Sequence, residues 1–398
     1  MEYDKNKIKF KDFIELKRGY DLPTKDRIEG NIPIISSSGV SGKHDIEKVK
    51  GPGVVTGRSG LIGSVYYESK DFWPLNTTLY VKNFKGNNPK YVYYFLKTMN
   101  LKNFQTGSSV PTLNRNHLDN IEVTIHEKNK QVQQIKVLDN IDKKIENNQK
   151  IIANLEELSQ TLFKRWFVDF EFPDENGNPY KSNGGEMIDS ELGMVPKGWN
   201  FEKLKLLIEN IKDNIRTKSL SQEDRYVPID LIPKRKLTFY DYKSSNEAKS
   251  SLIKFKKNDI LLGSMRVYFH RVSLAPFDGI TRNTVFTLRP RDERYLYYLL
   301  NAINKDDFIQ YAANNSKGST MPYAVWDGIL DEVTVLNPPL QYLIEFNSIV
   351  QKYFDISIIL LKQNRQLEDL RDTLLPKLMS GEIELPDDIE VNEDELSI

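Results

Sequence analysis

The chain has 398 residues, 39% hydrophobic and 11% aromatic, and its 56 basic side chains balance 56 acidic ones. That length predicts two or three domains, and the aromatic content excludes a disordered chain. The absence of cysteine excludes disulfides, thiolate zinc sites, iron–sulfur clusters and a cysteine nucleophile, and no apolar run is long enough for a transmembrane helix, so a cytoplasmic protein without membrane contact is expected.

The balanced charge hides a pattern. Residues 1–125 carry a net charge of +6 and residues 197–337 again +6, whereas 126–196 carry −4 and 338–398 carry −8. In chain order, Val54-Val55, the stretch from Gly63 to Tyr67 and that from Thr77 to Val81 read as short strands, because they are β-branched or aromatic and bounded by Gly, Pro and Asn. Pro89 opens a short helix that runs to Met99. From Lys130 to Phe167 there is neither Pro nor Gly, and Leu138, Ile145 and Ile152 recur every seven residues beside Ile141, Leu155 and Leu162. That spacing predicts a long helix with a heptad seam, interrupted at Asn148 and Ser159. Asn148 would either be buried, fixing register, or lie solvated at the seam edge. Residues 171–196, rich in Pro, Asn and Gly, read as a linker.

The second half repeats the grammar. Ile260-Leu-Leu, the stretch from Val267 to Ala275 and that from Thr284 to Leu288 read as strands, and a helix is expected from Arg294 to Ile303. Asn337-Pro-Pro then opens a second long helix with Tyr353, Leu360, Leu367 and Leu374 at period seven, beside Ile349, Ile356 and Leu370. Pro376 and Gly381 are expected to end it, and the acidic tail from Glu382 to fray. The halves also match residue by residue. Tyr91-Val-Tyr-Tyr-Phe-Leu echoes Tyr295-Leu-Tyr-Tyr-Leu-Leu, Asn76-Thr-Thr-Leu echoes Asn283-Thr-Val-Phe, and Leu155-Glu-Glu-Leu echoes Leu367-Glu-Asp-Leu, with offsets drifting from 204 to 212. A tandem duplication of about 200 residues follows. The expected organisation is an α+β segment 1–127, a helix 128–170, a linker 171–196, a second α+β segment 197–337, a helix 338–380 and an acidic tail 381–398.

Motifs for chemistry are scarce. Asn337-Pro-Pro-Leu340 lacks the aromatic of an adenine methyltransferase signature, and Gly39-Val-Ser-Gly42-Lys43-His44 lacks phosphate-loop spacing. The four histidines, His44, His117, His126 and His270, lack metal-ligand spacing. What remains is a recognition surface. Three loops of the first half are rich in small polar donors: Ser37, Ser38, Lys43 and His44 in one; Arg58 and Ser59 in the next; Ser108, Thr112, Asn114 and Arg115 in the last. The second half offers Ser264, Arg266 and Tyr268, then Arg282 and Asn283, then Lys317 and Ser319. Arginine reaches guanine bidentately, Asn reaches adenine, and Ser or Thr holds phosphate. Any one such loop is more simply a turn, but two sets in two net-positive blocks point to double-stranded DNA.

Further short motifs complete a resemblance. They are Lys17-Arg18-Gly19-Tyr20-Asp21-Leu22-Pro23, Gly57-Arg58-Ser59-Gly60, Leu162-Phe163-Lys164-Arg165-Trp166-Phe167-Val168-Asp169-Phe170, Pro196-Lys197-Gly198-Trp199 and Leu375-Pro376-Lys377-Leu378-Met379-Ser380-Gly381. In this order, within a repeat, they resemble the specificity subunits of type I restriction-modification systems, over nearly the full length. The resemblance implies two target recognition domains, each reading one half of a bipartite asymmetric DNA site, and two long antiparallel helices forming a coiled-coil spacer with an internal pseudo-twofold repeat. It implies two methyltransferase subunits and restriction/translocase subunits as partners. S-adenosylmethionine, ATP and magnesium would belong to those partners, and this chain would hold no cofactor or metal and perform no chemistry. A helix of about 37 residues spans roughly 55 Å, or about 16 base pairs, room for two readers on one face of the duplex. Gly263-Ser264-Met265-Arg266 stands in the place of Gly57-Arg58-Ser59-Gly60, so the half-sites should differ, and Arg58 and Arg266 are the first residues to test. Trp166, Phe167 and Phe170, with Ile358 and Ile359, would either dock partner helices or complete the chain's own core. The alternative to DNA reading is a coiled-coil scaffold that binds proteins.

Overall fold

The computed structural model describes residues 5–106, 111–190, 193–249 and 251–386. It is a mixed α+β chain divided into two compact units, residues 1–145 with 366–398, and residues 146–365.

The first unit is built on a four-stranded antiparallel sheet in the order Glu15–Arg18, Thr78–Asn83, Gly53–Gly57, Val65–Glu68. Its inner strand Gly53–Gly57 is buried throughout, which explains the unbroken Val54-Val55 signal. A three-stranded sheet adds Gly39–His44, Ile32–Ser36 and Trp73–Pro74. Helix Pro89–Thr98 starts on a sound cap: Asn88 accepts from the Lys90 amide and Pro89 occupies the first turn. It buries Tyr91, Val92, Tyr94, Phe95 and Leu96 against the sheet, each side chain contributing about 1.5–3 kcal/mol.

In the second unit a four-stranded antiparallel sheet runs Ile208–Asn210, Val285–Pro290, Ile260–Gly263, Val272–Leu274. Its connectivity matches the first: the earliest strand lies at one edge beside the latest, and the second and third follow. Of the strand expected from Val267 to Ala275, only Val272–Leu274 is one. Val267–Phe269 forms a 3-10 turn between Arg266 and His270, both left-handed with φ of 49° and 54°. A five-stranded sheet, in which Leu252–Phe255 and Gly279–Arg282 are central, replaces the first unit's three-stranded one.

The long helices are Lys128–Phe167 and Leu340–Ser380, and the boundary between the units falls within both. They run antiparallel in each unit. In the first, Gln134 donates to the Leu378 carbonyl at 2.7 Å and Arg371 to Asp142 at 2.9 Å. In the second, Asn148 donates to Gln363 and Asn364, both at 2.8 Å, and Phe163 and Trp166 pack on Phe346. Asn148 is fully buried, so of its two sequence readings the seam position holds.

The second helix is rotated from its expected seam. The buried stripe is Leu343, Val350, Ser357, Asn364 and Leu378, again at multiples of seven, while Ile356 and Leu370 are exposed. A search for apolar periodicity missed it because two of its members are polar. This helix also continues through Pro376 to Ser380. Proline sacrifices one backbone hydrogen bond there, but Leu375, Leu378 and Met379 are buried in the first unit's core and hold the last turn. Gly381 then ends it at φ 69°, with the Glu382 amide donating back to Lys377 at 2.9 Å. The expected fraying of the tail concerns residues that, from 387 on, lie outside the described ones. Part of the expected linker is packed: Phe172 is buried between Tyr180 and Trp199, with ring centroids at 4.6 and 4.8 Å.

Candidate nucleic-acid interface

In both units the loop leaving the inner strand is closed by the same backbone hydrogen bonds. The Arg58 amide donates to Thr77 at 2.9 Å, and the Arg58 carbonyl accepts from Leu113 at 2.8 Å. In the second unit the Ser264 amide donates to Thr284 at 2.9 Å, and the Ser264 carbonyl accepts from Ala324 at 2.9 Å. One residue on, Ser59 pairs with Thr112 and Met265 with Tyr323. Two residues on, Gly60 and Arg266 are both left-handed, at φ 77° and 49°. The aligned quartets therefore match position for position, Arg58 corresponding to Ser264 and Gly60 to Arg266.

Close approach dictates the first loop. A Cβ on Gly57 would meet the Leu61 carbonyl at 1.9 Å, so only glycine admits the tight return in which the Gly57 amide bonds Ser64 at 2.9 Å. The second loop is one residue longer, returning from Gly263 to Arg271 at 2.9 Å. It tolerates a left-handed arginine where the first uses glycine. That conformation costs a side-chain-bearing residue on the order of 1 kcal/mol, a strain that is commonly kept at functional positions.

In the first unit the structure gathers Ser37, Arg58, Ser59 and Thr112. The Ser37 amide reaches the Thr77 hydroxyl at 3.4 Å, and the Ser37 carbonyl accepts from Ser64 at 2.7 Å. Ser38 is exposed at the tip of this hairpin. Lys43 is exposed farther down it, opposite Pro33. His44 departs from expectation: it is buried edge-on to Trp73, and its Nδ1 accepts the Ile28 amide at 3.1 Å, so it serves the core. Asn114 is occupied in capping the short helix Arg115–Leu118, where it accepts from the Asn116 amide. Arg115 is exposed and donates to the Leu16 carbonyl at 3.1 Å. Ser108 lies outside the described residues.

The second unit gathers the 264–271 loop, the turn at Asn283 and the 317–324 loop. Ser264 is buried and its hydroxyl donates to the Thr284 carbonyl at 2.8 Å, which leaves it structural rather than exposed as expected. Arg266 is exposed, and its amide donates to Pro322 at 2.7 Å. Lys317 pairs through its backbone with Tyr323 in both directions at 2.9 Å. Arg282, Asn283, Lys317 and Ser319 are exposed. Tyr268 stands out at the turn, 53% exposed. Lys43, Arg58, Arg266, Arg282 and Lys317 form no ion pair with any described residue, whereas Lys50 and Lys82, among others, are paired. Arg58 is half-buried and its guanidinium donates to the Asn76 carbonyl at 3.4 Å, but none of the five must give up a carboxylate of the described residues to hold phosphates or base edges.

Sequence reasoning missed Thr77, which ties Arg58, Ser59 and Ser37 together. Its signal was present in the match of Asn76-Thr-Thr with Asn283-Thr, which served only to mark the repeat. Trp166 and Phe167 are also placed otherwise than a docking role needs: both are buried in the second unit's core around Phe346. Phe170 is half-buried against Trp199, Ile358 half-buried, and Ile359 67% exposed. Among the described residues no three His, Asp or Glu side chains are grouped to hold a metal, and no helix is long and apolar enough to cross a membrane.

Comparison with known proteins agrees with this architecture. The family described as the type I restriction modification DNA specificity domain matches residues 2–157. The specificity subunit of type I restriction enzyme MjaIX from Methanocaldococcus jannaschii is 30% identical over 318 residues, 74% of this chain and 69% of that protein. The corresponding subunit of the HindI enzyme from Haemophilus influenzae is 21% identical over 333 residues, 70% of this chain and 72% of that protein. The fold is shared with the crystal structure of the S subunit of a type I restriction-modification system from M. genitalium, with a TM-score of 0.61, 15% identity and coverage of 97% of this chain and 98% of that one. The chain belongs to the DNA specificity subunits of type I restriction-modification systems.

Proposed function

We propose that each unit reads one half of a bipartite DNA target through the loop leaving its inner strand. The observation that carries this reading is the shared closure at Arg58 and Ser264, which in two units of like connectivity gathers cations that no carboxylate of the described residues neutralises. In this reading the units are copies related by a pseudo-twofold axis, residues 1–127 and 197–337 are the readers, and the paired helices act as a coiled-coil spacer. The chemistry belongs to partners, two methyltransferase subunits and a restriction/translocase subunit. The exposed Ile151, Leu158, Ile356 and Ile359 on the long helices offer them an apolar docking face.

Adenine methylation mapping of host DNA tests the reading. Deleting the gene should erase one bipartite motif. Arg58→Ala should relax or lose one half of that motif and leave the other intact, a cost of about 1–3 kcal/mol if the guanidinium reads a base. An unchanged map on deletion would refute DNA reading. An intact motif in the Arg58→Ala strain would remove Arg58 from the interface.

A further inference from the structure

The two reading loops share a feature that charge does not explain. After its left-handed residue, each gives one aliphatic side chain to the core and turns an apolar neighbour out to solvent. In the first unit Ile62 is buried and Leu61 is 58% exposed. In the second Val267 is buried and Tyr268 is 53% exposed. A single exposed apolar residue is ordinary. Here there are two, one in each loop: Leu61 directly follows the left-handed Gly60, and Tyr268 lies one residue farther from the left-handed Arg266, each beside cations that form no ion pair with a described residue.

Both tips are rigid. The Leu61 carbonyl accepts from the Ser64 hydroxyl at 2.9 Å, and the Gly63 amide donates to Gly57 at 3.2 Å. Around Tyr268, the Phe269 amide donates to Arg266 and the His270 amide to Val267, both at 2.8 Å, and the Arg235 amide donates to the His270 carbonyl at 2.7 Å. The His270 ring is buried and bonded through Nε2 to Asn304 at 2.9 Å. These bonds hold the backbone from which both side chains project, and the Tyr268 ring rests edge-on to Phe269 with centroids 5.0 Å apart.

We infer that Leu61 and Tyr268 are wedges that enter the DNA between adjacent base pairs, one at each half-site. The inference rests on the DNA reading proposed above and adds its mode. Charge complementarity favours DNA as the occupant. Arg58 shares the loop with Leu61, and Lys102 packs beside Gly63. Arg266 shares the loop with Tyr268, and Lys234 lies 3.9 Å from the Phe269 ring centroid. None of these four is in an ion pair with a described residue; the nearby Asp306 is taken up by Arg235 at 3.0 Å. Cations on the phosphates with an apolar side chain between them is the arrangement by which proteins unstack and kink a duplex. The least costly place is a pyrimidine–purine step, so each half-site should contain one, TA or CA.

The test uses the full chain in the complex purified from its host, and duplexes carrying the target found by methylation mapping. 2-Aminopurine replaces single adenines other than the methylated ones, and specific binding is measured in the same samples by competition. The intact complex should brighten the probe at one step in each half-site. Leu61→Ser should abolish the signal in one half only and Tyr268→Ser in the other. Each variant should bind the intact duplex on the order of ten-fold more weakly and recover when that step is mismatched, because the unstacking is then already done. Specific binding without brightening, or brightening that survives both substitutions, overturns the wedge and leaves the DNA reading standing. Absence of specific binding overturns both.

Discussion

The two units use one backbone plan and fasten it with different chemistry. Just before the inner strand the first unit has Pro52, whereas the second has Asp259, 1% exposed and held bidentately by Arg289 at 2.7 and 2.8 Å. Against the long helices, the first unit uses partly exposed polar groups. Asp142 accepts from Tyr94 at 2.7 Å and from Arg371 at 2.9 Å, and Asp139 pairs with Lys90. Burial and the bond to Asp142 raise the Tyr94 hydroxyl well above its ordinary value, so it remains a donor. The second unit uses the buried carboxylate of Glu156, one oxygen of which accepts the Leu237 amide at 3.0 Å, the Thr238 amide at 2.8 Å and the Thr238 hydroxyl at 2.5 Å. At the two loops proposed to read DNA the closure is common, but Arg58 corresponds to Ser264 and Gly60 to Arg266. Main-chain hydrogen bonds set the fold of such a loop, and the side chains hung on them are free to diverge. That is what two readers of different half-sites require.

Substitutions at three positions of the second unit, with one control in the first, sharpen this contrast. The largest effect is expected at Asp259. Asp259→Ala strips Arg289 of its partner and should destabilise the chain by about 3 kcal/mol, the low end for a buried pair, because Arg289 is itself 35% exposed. Cutting the first unit's exposed pair with Glu15→Ala should leave the urea midpoint unchanged. A small shift for Asp259→Ala would mean that the pair adds no more than a surface bridge.

Next comes Glu156. Glu156→Ala orphans three donors and should cost about 2 kcal/mol. Glu156→Gln keeps an accepting oxygen and should cost little. Burial raises this carboxyl above its ordinary 4.5, although Thr238 and Lys236 pull it down. The folded chain thus holds the proton more tightly than the unfolded one. Stability from this group should fall as pH rises from 4.5 to the raised folded value, and level off above it. Urea midpoints against pH should show that fall in the parent and not in Glu156→Gln. An identical profile in both would show that Glu156 is not the group titrating.

A smaller change than at Asp259 or in Glu156→Ala, and of opposite sign, is expected from Arg266→Gly, which gives the second loop the first loop's residue. Relief of the left-handed strain should stabilise the chain by about 1 kcal/mol, while the half-site read by the second unit is relaxed. Stabilisation with recognition intact would show that the strained arginine reads nothing.

Much of this was legible in the sequence. The likeness of the two halves stood out because sheets of like connectivity are covered by helices with similar aromatic signatures, Tyr91-Val-Tyr-Tyr and Tyr295-Leu-Tyr-Tyr. The first long helix was legible because its buried stripe is largely apolar, from Leu138 through Ile145 to Ile152. The second helix misled by a rotation because Ser357 and Asn364 occupy its stripe. The quartet alignment correctly set Arg58 against Ser264, but nothing local distinguished an exposed serine from one whose hydroxyl is spent on Thr284. His44 was misplaced for a related reason, and Trp166 and Phe167 kept two readings, docking or core, between which only the structure chose. A histidine or tryptophan has the same composition whether it faces solvent or core, and only its neighbours decide.

The sequence by itself determined that the chain is a mixed α+β protein with two long helices and two net-positive segments, because periodicity and charge are properties of order along the chain. The tertiary structure decided which polar loops meet, which cations stay unpaired and which apolar residues are left outside. Those are relations between residues far apart in sequence, such as Arg58 with Thr77 and Leu113, or Ser264 with Thr284 and Ala324, and they come into being only when the strands that carry them pair.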